Sequence, residues 1–341
     1  MSQSLSYSTM SEAETPAVTR LLVHAFAGTP EGVDGWLKGA GLEHIRIVKA
    51  GADRPPESCL LRIPMGQYFG GRSVSMLGIA GVGVAPEARG RGLAKFMMAE
   101  STREAARDGF AIAALYPSTQ TLYRSVGYEQ AGNRLLARVP ISEIEVREKG
   151  LDIVALGDDD WPAVKECYAA FAARFNGMID RGPYVWSRVA KWHDQKFHGF
   201  GIRNGSGGLD GYVFLQQKRK ETARQEIVAQ DFAFLSPGAG RRLLQFFADF
   251  GTMGDDVVFS CGPSHPALML LPRQKYKLEF NYYWMIRIIN VAKALSGRGY
   301  SAGLKLDMEL DITDAVLPEN AGRWTLRVEG GRGEVARGAL L

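Results

Sequence analysis

The sequence predicts a mixed α/β (α+β) protein: two similar α/β units in tandem, then a shorter α+β segment. Three observations carry this. Gly81 to Lys95, GVGVAPEARGRGLAK, reads as an apolar strand stopped by Pro86, a glycine-rich bend and a helix whose apolar Leu93, Phe96 and Met97 recur at offsets of three and four. A similar series recurs later: Pro16 and Pro117 lie 101 positions apart (117 − 16), as do Pro162 and Pro263 (263 − 162). Finally, Leu304, Leu306, Met308, Leu310 and Ile312 alternate strictly with Lys305, Asp307, Glu309 and Asp311, the period of a strand with one apolar face.

The 341 residues suffice for two or three domains, and 46% hydrophobic with 23% charged residues is a globular composition. No apolar run approaches the ~20 residues of a membrane helix. The start MSQSLSYSTMSEAE lacks the basic and apolar regions of a secretory signal. Cys59, Cys167 and Cys261 are few, odd in number and widely spaced, which points to buried thiols in a reducing cytoplasm and away from disulfides or a metal site. A net charge of +4 is small for this length, so neither nucleic acid nor a membrane is expected as partner, and any anion site must be local.

In chain order, Thr15-Pro16 opens a helix with Val18, Leu21, Leu22, Ala25 and Phe26 on one face. His24 borders that stripe, and core packing is the stronger reading for Trp36. Cys59 to Ile63 reads as a strand ending at Pro64. Tyr68-Phe69-Gly70-Gly71 reads as a hairpin-like turn, whose aromatics either fill a core or line an acceptor pocket. Val74 to Val84 then leads into the organising bend. A bend of this kind offers backbone N–H groups and the positive end of a helix dipole to an anion. Gly90 and Gly92 clear the approach, and Arg89 and Arg91 add charge, so a pyrophosphate seat is predicted. The Walker pattern is absent, and Pro86 occupies the third glycine position of a dinucleotide fingerprint. Ala111 to Tyr116 reads as a buried strand. Ser118 is placed to cap the short helix that carries Tyr123 and stops at Gly127. A phenol there is suited to protonate a departing thiolate, although tyrosine in a short helix is commonly packing.

Arg89 to Ala94, Arg-x-x-Gly-x-Ala after a Val-x-Pro strand end, resembles the acetyl-CoA loop of the GNAT superfamily of N-acetyltransferases. The run from GQYFGGRSVSMLGIAGVGVAPEARGRGLA to ALYPSTQTLYRSVGYEQAG is similar to the acetyltransferase domain of the enhanced intracellular survival family. The resemblance implies acetyl-CoA as co-substrate and Tyr123 as general acid, with Ser118 by the transfer site. It further implies that Val82, Gly83 and Val84 bind pantetheine and that Arg89, Gly90, Arg91, Gly92, Leu93 and Ala94 hold the pyrophosphate. The aromatic residues Phe26, Trp36, Tyr68, Phe69 and Tyr116 make the candidate acceptor pocket.

Residues 139 to 150 read as a polar connection, after which Pro162-Ala163-Val164 echoes Pro16-Ala17-Val18. Asp231 to Leu235 reads as a strand, Ser236 to Gly240 as a loop and Arg241 to Phe250 as a helix. Val257 to Cys261 then leads to Pro263-Ser264 as Ala111 to Tyr116 leads to Pro117-Ser118. This second unit has no Arg-x-x-Gly-x-Ala, and Met269 falls where Tyr123 would. Tyr282 to Val291 reads as a buried strand, Ala292 to Gly299 as a short helix, and Trp324 to Val328 as the partner of the alternating strand. The resemblance implies a sterol-carrier-like end. The expected domains are therefore 1–145, catalytic; 146–284, acetyltransferase-like without catalysis; and 285–341, sterol-carrier-like and apparently incomplete. In the resembled family the C-terminal carboxylate is the general base; Leu341, ending GRGEVARGALL, is not carried over to that role.

The expected function is transfer of acetyl from acetyl-CoA to a small-molecule or lysine-like amine, such as an aminoglycoside or polyamine. The resemblance implies a homo-oligomer, possibly a hexamer. The alternative is a non-catalytic CoA-responsive or lipid-binding interaction protein.

Overall fold

A computed structural model of the chain describes residues 4–51 and 53–338. The first elements are β1 Leu5–Thr9, α1 Thr15–Phe26, α2 Pro30–Ala40, β2 Ile45–Ala50, β3 Ser58–Phe69, β4 Arg72–Val84, α3 Leu93–Arg107, β5 Ile112–Leu115, α4 Gln120–Arg124 and β6 Glu129–Pro140. The middle holds β7 Ile153–Ala155, α5 Trp161–Ala172, β8 Ile179–Asp180, α6 Pro183–Trp186, β9 Lys191–Trp192, β10 Gln195–Lys196, β11 His198–Arg203, β12 Leu209–Arg219, β13 Gln225–Phe234, α7 Pro237–Ala248 and β14 Gly254–Cys261. The chain finishes with α8 Pro266–Met269, β15 Lys277–Ile288, α9 Val291–Gly297, β16 Leu306–Ile312, β17 Gly322–Glu329 and β18 Arg332–Arg337.

These elements form two compact units. One gathers the chain up to Gly132, the stretch Asn176–Tyr184 and everything from Trp284; the other gathers Asn133–Phe175 and Val185–Tyr283. In the first unit the sheet runs β1-β2-β3-β4-β5, with Met285–Ile288 of β15 beyond β5. All pairs are antiparallel except β4–β5. Gly70 and Gly71, at φ +58° and +80°, make the two-residue β3–β4 turn, whose mirror-image twist matches that of the strands. β3 runs through Pro64 instead of ending there, pairing it with Leu77. Proline fits because β2 pairs with β3 up to Leu61 and β8 only from Gly66, so the missing N–H falls on an edge that neither strand uses. β15 is likewise not buried throughout. Met285 and Arg287 are buried where β15 meets β5, whereas Tyr282 and Tyr283 are exposed.

Val74, Met76, Ala111, Ile112 and Ala294 share one core, which seats α9 against the sheet. The alternating strand is β16, paired with β17 as expected: Leu306, Met308 and Leu310 face Val328, Leu326 and Trp324. The last three are buried, but Met308 stays exposed.

The second unit repeats the plan, with order β6-β14-β13-β12-β11-β7 and β13–β14 its parallel pair. Its linker is less polar in practice than its composition suggests: Ile141, Ile144 and Val146 are buried in the unit's core. Among the described residues no helix is long and apolar enough to cross a membrane. All three cysteines are buried and unpaired, and burial pushes the Cys59 thiol up to about 12.

Candidate active site

The organising stretch folds as read. β4 ends at Val84, a tight turn spans Pro86–Ala88, and Gly90 and Gly92 take φ +77° and +80°. These left-handed values are what require glycine here. A Cβ on either would meet no atom within 4 Å, so the space over the bend is open as well. Gly92 is the N-cap of α3 and brings no side chain to the first-turn N–H groups, which in any helix lack intrahelical acceptors. Leu93 is buried and anchors the helix start, and Ala94 is half-buried beside it. Farther along α3, Glu104 receives Arg46 at 2.7 Å, Arg62 at 2.8 Å and the Tyr7 hydroxyl at 2.6 Å, fixing the helix to the sheet. Arg89 is exposed. Arg91 instead ties the bend down, pairing with the buried carboxylate of Glu57 at 2.9 Å. Glu57 escaped sequence reading, because one acidic residue ahead of a strand carries no periodic signal.

The β4–β5 pairing runs from Met76↔Ile112 to Ile79↔Leu115. Beyond it β4 continues through Gly81, Val82, Gly83 and Val84, while β5 gives way to Tyr116 and the turn to α4. The two strands thus part, and β4 still pairs with β3 on its other side at Gly83 and Val84. Gly83 has no room for a side chain, since Leu21 and Ala25 of α1 pack on it. Tyr123 lies in α4, the short helix that follows β5, at 3% exposure. Burial raises its phenol above the ordinary value, and a hydrogen bond with the Ser118 hydroxyl offsets part of the rise. Ser118 therefore does not cap α4. Thr119 is the N-cap, without a side-chain bond, and Ser118 serves Tyr123 instead. Gly127 ends the helix as expected, at φ +89° with its N–H on Arg124 O.

Of the aromatic candidates, Trp36 and Tyr116 border the gap. The Trp36 ring covers Gly81, where a Cβ would lie 2.7 Å from it, and its Nε1 donates to the Tyr184 hydroxyl at 2.9 Å. Tyr116, directly after β5, is 48% exposed. Phe26 ends α1, next to the Ala25 that packs on Gly83, and is 58% exposed. Tyr68 and Phe69 are not brought to this place. They sit at the hairpin turn, opposite Ser73 and Arg72, roughly 30 Å of strand away from Val82. There Phe69 packs in the α9-side core beneath Arg298. Gly81 and Tyr184 were missed by the sequence reading, since their roles depend on a strand bulge and on a remote segment of the chain.

An acetyltransferase (GNAT) domain model matches residues 6–131, a second acetyltransferase (GNAT) domain model 177–288, and a sterol carrier protein domain model 291–339. A GCN5-related N-acetyltransferase from Anabaena variabilis is similar over 99% of this chain and 86% of its own, at 30% identity and a TM-score of 0.93. The chain belongs to the GCN5-related N-acetyltransferases. Eis1 from Mycobacterium abscessus shares the fold at 18% identity and a TM-score of 0.77, over 98% of this chain and 86% of that one. The order of domain models is the one implied by resemblance to the enhanced intracellular survival family. An uncharacterized N-acetyltransferase of Streptomyces coelicolor is 26% identical over 273 residues, 75% of this chain. The chain spans 65% of that relative's length and 67% of its counterpart's from Streptomyces avermitilis.

The second GCN5-related unit treats the equivalent positions differently. The expected loop Ser236–Gly240 is the cap and first turn of α7. The Ser236 hydroxyl accepts from Ala239 N at 3.1 Å, so this helix start bonds itself. β13 and β14 also part, after Ala229↔Phe259. Beyond that pair Phe232, Phe234, Phe171 and Phe259 surround His265 at centroid separations of 5.2, 6.5, 5.9 and 5.6 Å. Burial among these rings pushes the imidazole down to about 4. Met269 is exposed. Leu341 lies outside the described residues.

Proposed function

We propose that the chain is an N-acetyltransferase that moves acetyl from acetyl-CoA to a primary amine, with Tyr123 as general acid. One observation carries the reading. β4 parts from β5 beyond Ile79↔Leu115 and runs through the glycine bend to a helix start with no side-chain cap, while the helix after β5 carries a buried phenol bonded to Ser118. The pantetheine amides fit the Val82–Val84 edge as an added strand would. The pyrophosphate fits the N–H groups of Gly90 to Ala94, with Arg89 free to approach it and Arg91 keeping the bend in shape. The amine, arriving neutral, attacks the thioester carbonyl carbon. Backbone N–H groups at the strand edge favour the oxyanion. The carbon–sulfur bond then breaks, Tyr123 gives its proton to the sulfur, and the nitrogen's surplus proton restores the phenol through solvent.

Residues 1–145 are the proposed catalytic region. Residues 146–284 are the proposed acetyltransferase-like region without catalysis, supported by the self-capped α7 and the phenylalanine-lined gap. Residues 285–341 are the proposed sterol-carrier-like region. The acceptor class remains a small-molecule or lysine-like amine, met by Trp36, Tyr116 and Phe26. Homo-oligomerisation, up to a hexamer, is favoured by the exposed Leu278, Phe280, Tyr282 and Tyr283 of β15.

Thiol release from acetyl-CoA, measured with a panel of polyamine, aminoglycoside and lysine-containing acceptors, tests the activity. Tyr123→Phe should lower kcat by about 10²–10⁴-fold with the KM for acetyl-CoA nearly unchanged. Coenzyme A binding without any acetyl transfer would return the non-catalytic alternative.

A further inference from the structure

We propose that Arg287, locked by Asp314, is a positioning residue for Tyr123, so that the C-terminal segment holds the general acid in place. This rests on the reading of Tyr123 given above. Arg287 stands on β15 opposite Ala113 of β5 and is 6% exposed. Its Nη2 donates to both carboxylate oxygens of Asp314, at 2.6 and 2.7 Å, and its Nη1 to Ile288 O at 2.9 Å. Asp314 is held just as firmly. Its Oδ1 accepts from Val316 N at 3.0 Å and Leu317 N at 2.9 Å, and its Oδ2 from Asn320 Nδ2 at 3.2 Å. Asn320 also donates to Ile289 O at 3.1 Å, and its carbonyl receives the Trp324 indole at 2.8 Å. A guanidinium with one terminal nitrogen held by a carboxylate and the other by a backbone carbonyl has one place to be.

That place is against Gly127. A Cβ on Gly127 would lie 2.8 Å from Arg287 Nε and 2.9 Å from Cζ. Among the described residues Nε has no hydrogen-bond partner, so this side of the guanidinium is given to packing. Gly127 ends the helix that carries Tyr123. Its neighbours Val126 and Tyr128 both donate their N–H to the Tyr123 carbonyl, at 3.1 Å each. The buried Tyr128 ring also meets the Tyr123 ring edge-on, at 6.2 Å. The guanidinium therefore supports the turn whose hydrogen bonds fix the backbone of residue 123. An acid displaced by a fraction of an ångström loses proton transfer before it loses substrate, so the effect belongs in kcat.

The test uses the full chain with Asp314→Asn or Arg287→Lys, each alone and combined with Tyr123→Phe. Alone, each should lower kcat about tenfold to a hundredfold while the KM for acetyl-CoA stays within about twofold. On the Tyr123→Phe background the further loss should not exceed about twofold, since the group being positioned is gone. Equal losses on both backgrounds, a loss that falls on KM, or no loss at all overturns the proposal. Amide exchange over residues 124–128 reads the same contact without turnover; it should quicken about tenfold in Asp314→Asn, and unchanged exchange also overturns the proposal. Wild-type turnover in Tyr123→Phe alone would sink the general-acid reading, and the exchange rates would still decide whether Arg287 supports the turn. If Asp314→Asn does not fold, Arg287→Lys, which keeps the charge but loses the fork, carries the test.

Discussion

Tyr123 follows β5 and His265 follows β14, each the second strand of its unit's parallel pair, and burial acts on them with opposite chemical results. For the phenol, desolvation favours the protonated form, which is the form an acid needs. Turnover should therefore hold on the alkaline side past pH ~10, the ordinary tyrosine value, and fall only as pH rises through the raised one. A pH–rate profile in which Tyr123→Phe keeps that alkaline fall would reject the assignment. For the imidazole, desolvation favours the neutral form, lowering its value from 6.5 to about 4. The unfolded chain then binds the proton first, so stability is complete above pH 6.5 and is lost as pH drops toward 4. The loss is on the order of 2–3 kcal/mol. His265→Gln should flatten the dependence of Tm on pH across that window, and an unchanged slope would assign it to other groups.

At the scale of elements, the two helix starts are the instructive pair. Both follow the second strand of an antiparallel hairpin and precede a strand parallel to it, yet α3 is capped by Gly92 and α7 by Ser236. A serine cap contributes about 1 kcal/mol to its own helix and uses a donor that a ligand would need. Ser236→Ala should therefore lower Tm by a few degrees and leave acetyl transfer unchanged. Gly92→Val should lower both Tm and acetyl-CoA binding. Its φ of +80° costs a branched side chain about 1–2 kcal/mol, and the new methyl groups enter the space above the bend. Acetyl-CoA affinity, measured by calorimetry, should fall at least about tenfold. Affinity equal to that of the wild type would mean that the anion rests elsewhere.

The whole molecule is assembled out of sequence order. The first unit takes its last sheet strand from Met285–Ile288, its α9-side core from Ala294, and the Trp36 partner from Tyr184. A fragment holding residues 1–132 alone would leave β5 without its outer neighbour and would open the core around Val74, Met76 and Ile112. It should lack a cooperative thermal transition, and a sharp transition in scanning calorimetry would show that the C-terminal segment is dispensable to the fold.

What was legible from the residues alone is what local chemistry dictates. The glycine-rich bend, the hairpin at Gly70-Gly71, the helix stop at Gly127 and the alternation of β16 each follow from short-range sterics and periodicity, and so each could be read in place. Tertiary structure decided the rest, because it depends on which distant groups share a desolvated space. Pro64 stays within a strand because of where its neighbours stop pairing. Ser118 turns from capping a helix to bonding Tyr123, and Arg91 turns toward Glu57. Tyr68 and Phe69 are removed from the gap by the length of a strand whose direction no local pattern reveals. Arg287, an unremarked cation in an apolar run, finds Asp314 and Gly127 only once three remote stretches of chain are packed together, where Asp314 supplies the partner that a buried charge requires.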